Sequence, residues 1–397
     1  FVIISGDLYD VSNPKVDVVD LATKELKRLI DIGIPVYGIM GSHDFSPSRR
    51  SMIRTLISGG FFTNVSVPIW DKENENSLML KFFKDPKTKV KITGIRARRR
   101  SLEIEDYKKL NIGALEKEDG VKIFVLHTLL DELKPIEFKD MISAPKSLLP
   151  KNFLYYAGGH IHKPLPGSLR KNKEPFIIKN DSELKDRVIY PGSTYPTNFK
   201  ELEQYKYGGF CFVTGIISEE DDTFELNVSY NPLKIKEVIN LDIDGDNKSA
   251  SSIKSLVDSK IAEQSFEDKV VTIRISGELS SGKTVEIKSN DIIRRCKEKG
   301  AYEVLLNKAG LSSKEYKPIH VDVNETSEEI ENRLIHEHAQ KSKVKNISKE
   351  KMEDLVHKLM SDLGRERKDD EKVRDYEKDL VESFYNIMEI PFEEDDL

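Results

Sequence analysis

Four short stretches hold side chains able to do metal chemistry: Gly6-Asp7, Gly41-Ser42-His43-Asp44, Leu126-His127 and Gly159-His160-Ile161-His162. Each follows an apolar run, the position from which loops of an α/β sheet gather residues distant in sequence. His160 and His162 stand at i and i+2, so a strand end sends both imidazoles out of one edge. Half of the eight histidines lie in these stretches. A carboxylate with neutral imidazoles and no thiolate suits Mn²⁺, Fe²⁺ or Zn²⁺ rather than a structural zinc finger. One carboxylate can bridge two ions, and ions about 3.5–4 Å apart activate water while gripping phosphate oxygens, so phosphoester hydrolysis is the chemistry to expect. A single Gly-Asp or Gly-His pair is an ordinary loop signal; here Gly6, Gly41 and Gly159 beside the candidate ligands suit sharp turns and close backbone approach.

These stretches need parallel strands to position them. Residues 1–4 and 35–40 read as buried strands around a helix at 16–30, whose apolar positions are Val18, Val19, Ala22, Leu26, Leu29 and Ile30. That order favours a right-handed parallel crossover. Further strands are expected at 78–83 and 90–95, joined by a turn, and at 122–126, 153–157, 188–190, 210–213 and 224–228. The fold class expected is mixed α/β, with two stacked sheets flanked by helices over residues 1–235. A small α+β domain follows at 236–319, with a strand at 270–275, a turn at Ser280-Ser281-Gly282 and a strand at 284–287. Residues 320–346 read as a charged linker with a short helix nucleated by Thr326-x-x-Glu329. Residues 347–397 read as a helical hairpin. Ser348 caps its first helix between the staple residues Ile347 and Met352, and apolar stripes run from Met352 to Leu363 and from Val373 to Met388.

The chain has 397 residues, 38% apolar and 33% charged, enough for two or three units. A net charge of −6 excludes nucleic-acid binding by overall charge, so such binding needs a local patch. Two clusters qualify: Arg96, Arg98, Arg99 and Arg100 after one strand, and Lys163, Arg170, Lys171 and Lys173 after the His-x-His loop. Cys211 and Cys296 are the only cysteines and read as buried reduced thiols. His320, His336, His338 and His357 lie in charged surroundings and read as surface residues. No apolar run approaches the roughly 20 residues of a membrane span, and a cytoplasmic protein is expected.

The motif order GD, GSHD, H, GHxH resembles the calcineurin-like metallophosphoesterase superfamily. The residues Gly41 to Ser48, Tyr190-Pro191-Gly192-Ser193-Thr194, Val271 to Gly277 and the C-terminal hairpin resemble its SbcD-type (meiotic recombination eleven) DNA repair nucleases, in the archaeal style. The resemblance implies a four-layer sandwich, a DNA-capping role for residues 236–319, and a hairpin that docks on an SbcC-type coiled-coil ATPase. It implies two divalent metal ions, foremost Mn²⁺. Asp7 would bridge them, with His127 and His160 on one ion and His162 on the other. Ser42 would stand where the family has a metal-binding asparagine. His43 would act as general acid with Asp44 holding its ring, and DNA would meet Arg96, Arg98, Arg99, Arg100 and Lys163. Asp10, where some members carry a second histidine, is given no catalytic role. The family's Asp-x-His motif does not precede Asp7, so an N-terminal strand is expected to be missing and the activity of the chain as written to suffer. The function implied is 3'-5' exonuclease and endonuclease action in double-strand-break repair, as a homodimer. Two alternatives remain: a DNA-tethering scaffold that does not cut, or another calcineurin-like phosphoesterase.

Overall fold

The computed structural model describes residues 1–44, 51–70, 77–171, 174–218, 223–314, 327–341, 348–365 and 373–389. Two compact units emerge, Phe1–Glu315 and Tyr316–Leu397.

In the first unit, Val2–Ser5 pairs in parallel with Val36–Ile39, and that strand pairs with Thr63–Asn64. A five-stranded sheet sets Val188–Ile189, Tyr155–Gly158, Lys122–Leu126 and Lys91–Ile95 side by side in parallel, with Phe83–Lys84 antiparallel at its edge. Every residue of Val36–Ile39 and of Tyr155–Gly158 is buried, as continuous apolar runs covered on both faces should be. Strand alternation distributes the side chains between cores. Phe124, Leu126 and Tyr156 join Tyr107, Leu115 and Phe153 in one core. Val125, Tyr155 and Ala157 meet Tyr37 and Ile39 of the other sheet, together with Ile178, Leu226 and Val228, in a second. Val36 and Met40 pack with Leu26 of the Val16–Asp31 helix and with Ile53, Leu56 and Phe62. The expected mixed α/β class is what the chain adopts. The first helix uses less of its stripe than its spacing suggests, since Val18 is about half exposed.

Register decides where the site falls. Ser5 lies opposite Ile39, and Leu126 lies opposite Gly158. Gly6-Asp7, Gly41, His127 and Gly159-His160 therefore all emerge at C-terminal strand ends.

An antiparallel sheet of Phe176–Lys179, Thr223–Pro232 and Gly209–Ser218 ends in an outer strand that leaves Phe212 and Ile216 exposed. A smaller parallel sheet follows, Val238–Asp244 with Val270–Leu279 and Glu303–Asn307, and Leu311–Ser313 pairs with the far end of its long middle strand. Helices Ala250–Ala262 and Ser289–Glu298 contribute Ile253, Val257, Ile292 and Cys296 to its core. The strand expected at 284–287 is instead a 3₁₀ turn, Thr284–Glu286. Val285 is exposed and only Ile287 reaches the core, while the Lys283 N–H donates to Glu286 Oε1 at 2.8 Å, so a local cap replaces sheet pairing.

The second unit holds the helices Ser327–Lys341, Lys349–Leu363 and Val373–Met388. The helix within the expected linker is 15 residues long rather than short, and it buries Ile335 and Ala339. Ser348 caps the next helix as expected, accepting the Lys351 N–H at 3.2 Å. Thr326, Ile347 and His320 lie outside the described residues. Among the described residues, no helix is long and apolar enough to cross a membrane.

Candidate active site

His127 is the pivot. It is buried, and its Nδ1 lies 2.6 Å from the Ser5 carbonyl oxygen of the neighbouring sheet. A carbonyl only accepts, so Nδ1 carries hydrogen and Nε2 is left facing Asp7 Oδ2 at 3.1 Å. Glycines make this closeness possible. A Cβ on Gly159 would sit 1.9 Å from the Ser5 carbonyl oxygen, and one on Gly41 would sit 2.2 Å from Asp7 Oδ1. Asp7 and His160 both hold left-handed backbone conformations, at φ 52° and 82°, the kind of strain that tertiary structure must impose.

Asp7 Oδ1 accepts the His43 N–H at 2.7 Å, while the Ser42 hydroxyl and N–H stand 3.4 Å from Asp7 Oδ2 and His127 Nε2 respectively. The rings of His127 and His160 are 5.2 Å apart. His160 also feels the charges of Asp7, His162 and His43, so all four histidines and Asp7 share one neighbourhood. One expectation needs correcting. Asp44 does not hold the His43 ring; its buried carboxylate accepts the Gly41 N–H at 2.9 Å and the Tyr9 N–H at 3.3 Å, because backbone donors buried there need acceptors. The ring is held by Asp10, whose carbonyl oxygen is 2.7 Å from His43 Nδ1. Asp10 had been given no role.

His162 turns Nδ1 toward Glu201 Oε1 at 2.9 Å. Glu201 was missed by the motif reading, although Asn198-x-x-Glu201 is a helix-start signature: Asn198 Oδ1 accepts the Glu201 N–H at 3.0 Å. The Ser5 carbonyl was missed as well. A backbone group leaves no mark in a sequence.

The electrostatics suit ligand work. Burial pushes the Asp7 carboxyl up, but the hydrogen bond and attraction that His127 offers when its ring carries a second proton, together with the His43 N–H, outweigh it, so Asp7 titrates below its ordinary value. Burial, then repulsion from His127, lowers His160 to about 4 from an ordinary 6.5. His160 is therefore neutral at physiological pH, with a lone pair to offer. The unfolded chain takes up this proton near 6.5 and the folded chain only near 4, so below 6.5 the unfolded state binds more protons. The metal-free protein should lose stability as pH falls from about 6.5 to about 4, and urea midpoints should show a shallower loss in His160→Gln.

Among the described residues, no three imidazole, thiol or carboxylate groups stand close enough together to grip an ion as they are placed. The donor chemistry nonetheless fits a divalent cation. Unless His127 takes a second proton, Nε2 and Asp7 Oδ2 are two lone-pair atoms face to face at 3.1 Å, an arrangement that a cation between or beside them relieves.

The basic residues divide. Arg96, Arg98 and Arg100 are exposed, and Arg98 pairs with Asp106 at 2.8 Å. Lys163 is ion-paired with Glu137. Arg170 donates to the Tyr205 carbonyl and stacks 5.3 Å from the Tyr205 ring, which makes it a structural cation. The side chains of Arg99, Lys171 and Lys173 lie outside the described residues.

Two sheets deliver a carboxylate and imidazoles to one edge, and residues 1–164 match the family of calcineurin-like phosphoesterases. That match bears out, over this stretch, the resemblance carried by the motif order. It is similar to the DNA double-strand break repair protein Mre11 of Methanococcus maripaludis, with 25% identity over 237 residues, 56% of this chain and 53% of that protein. The Mre11 protein of Sulfurisphaera tokodaii is 32% identical over 165 residues, 41% of this chain and 38% of its own length. That of Saccharolobus solfataricus is 30% identical over 235 residues, 59% of this chain and 54% of its own. The chain thus spans about half the length, or less, of these curated relatives.

Proposed function

We propose that this chain is the nuclease subunit of a DNA double-strand-break repair complex, a Mn²⁺-dependent phosphodiesterase with two divalent ions, cutting as 3'-5' exonuclease and endonuclease. The observation that carries this reading is the gathering of Asp7, Ser42, His43, His127, His160 and His162 around one strand-end edge. The relatives named for double-strand break repair point to DNA as the substrate.

Bound there, divalent ions would supply Lewis-acid activation of water and of the phosphodiester. Ionised Asp7, Nε2 of His127, His162 and the neutral ring of His160 would hold them, with Ser42 offering a hydroxyl oxygen. His43 is anchored through Nδ1–H at the Asp10 carbonyl, so as the imidazolium it can pass its Nε2 proton to the departing sugar oxygen and be left as the neutral Nδ1–H ring. Asp44 shapes the loop that carries His43 by taking the Gly41 and Tyr9 N–H groups. Arg96, Arg98, Arg99, Arg100 and Lys163 would hold DNA phosphates, with Arg98 and Lys163 exchanging Asp106 and Glu137 for them. Exposed Met360, Leu363 and Phe384 on the C-terminal helices offer an apolar surface for an SbcC-type ATPase, and a homodimer would bring two such sites to paired DNA ends.

The test is cleavage of end-labelled duplex DNA with Mn²⁺. Wild type should cut, and His43→Ala should cut about 10²-fold more slowly while still binding the ion. Equal rates would remove His43 from the reaction.

A further inference from the structure

A single short helix, Phe199–Tyr205, touches both the His-x-His loop and the small parallel sheet. On one side, Glu201 Oε1 meets His162 Nδ1 at 2.9 Å and Asn198 Nδ2 at 2.7 Å, and its Oε2 accepts the Thr197 N–H at 3.0 Å and hydroxyl at 3.1 Å. Four contacts leave this carboxylate little freedom.

Two residues on, and so turned roughly 200° around the helix axis, Glu203 grips Arg274 from the middle strand of the small sheet. Arg274 Nε donates at 3.0 Å and Nη2 at 2.6 Å, a two-pronged pair, and the guanidinium lies 5.0 Å from the centre of the Phe199 ring. The Glu203 carbonyl accepts from Asn240 Nδ2 at 2.8 Å, and Asn240 Oδ1 takes the Thr272 hydroxyl at 2.9 Å. Leu202 between the two glutamates is buried with Val238 and Val270, the first residues of two strands of that sheet. The helix is therefore fixed to the small sheet by a two-pronged ion pair, a hydrogen bond from the Asn240 amide and an apolar contact.

We propose that this helix is a positioning strut: Glu201 holds His162 in the Nδ1–H form with Nε2 free to ligate, and the Glu203–Arg274 pair makes the small sheet set where Glu201 stands. Ion affinity at His162 then depends on the small domain, although that domain supplies no ligand. The inference rests on the reading of His162 as a metal ligand. An outer partner that fixes a ligating imidazole is commonly worth 10–100-fold in affinity.

The test uses the full chain with two readouts. Ring ¹⁵N shifts of His162 at pH 8 report its tautomer without metal, and calorimetric titration with Mn²⁺ reports affinity. Glu201→Ala should mix the tautomers and weaken Mn²⁺ binding about 10-fold or more. Arg274→Ala should shift both readouts in the same direction by less, and the charge swap Arg274→Glu with Glu203→Arg should restore them, which a merely destabilised variant would not do. Unchanged shifts and affinity in Glu201→Ala would overturn the role of Glu201; a response to Glu201→Ala but none to Arg274→Ala would overturn the coupling. Failure of the wild type to bind Mn²⁺ would overturn the metal reading instead, and the metal-free shifts would still decide the strut.

Discussion

Asp7→Ala should slow phosphodiester hydrolysis on the order of 10³-fold, about 4 kcal/mol of transition-state stabilisation, with little loss of fold. The carboxylate accepts the His43 N–H at 2.7 Å and faces His127 Nε2 at 3.1 Å, so it steadies the neighbouring loop as well as offering oxygens to an ion. Asp7→Asn separates those jobs. The amide oxygen can still accept the His43 N–H, yet the negative charge is gone, so the asparagine variant should keep the melting temperature of the wild type and lose Mn²⁺ binding. Bis-p-nitrophenyl phosphate hydrolysis and calorimetric metal titration measure the two effects. An asparagine variant with full activity would sink the assignment of Asp7 as an ion ligand.

Gly159→Ala should be the most damaging single methyl in the protein's site, with a stability loss of roughly 3 kcal/mol. The new carbon would fall 1.9 Å from the Ser5 carbonyl oxygen and 2.8 Å from His127 Nδ1, and the first of these is backbone that cannot rotate aside. The two strand ends must part, and the 2.6 Å bond from His127 to Ser5 goes with them. Gly167→Ala makes the control, because nothing lies within 4 Å of its added carbon and its backbone is not left-handed. Urea unfolding of the two variants should differ by the whole effect. If they unfold alike, the close approach of the sheets at Gly159 is not what the structure implies.

Much of this architecture is legible from the residues. The apolar runs that end at Ser5, Met40, Leu126 and Gly158 announce buried parallel strands, and the polar motifs after them mark one edge because parallel strands point the same way. The helices at 16–31 and 349–363 follow from their spacing, and Ser348 from its capping chemistry. Other features were hidden for physical reasons. The residues 284–287 alternate like a strand, yet a local cap, the Lys283 N–H on Glu286, takes the place of sheet pairing. The partners of His43 and Asp44 are backbone atoms, and a backbone carbonyl or N–H is present at every position, so no residue type signals which one is used. Glu201 lies 39 residues from His162, and only the fold brings them together. The role of Asp10 was missed because its carbonyl rather than its carboxylate makes the close contact, with the carboxylate 3.7 Å from the same nitrogen.

The bond from His127 to Ser5 joins residues 122 positions apart, and it has a consequence for synthesis. No short run of this polypeptide possesses the pocket by itself; a growing chain must have extended well past Gly159 and zipped its parallel pairs before the imidazoles gather, and such long-range closure is slow. Ion uptake should then lag behind the appearance of secondary structure in a refolding experiment, because capture waits for the last sheet-to-sheet docking step rather than accompanying the first collapse.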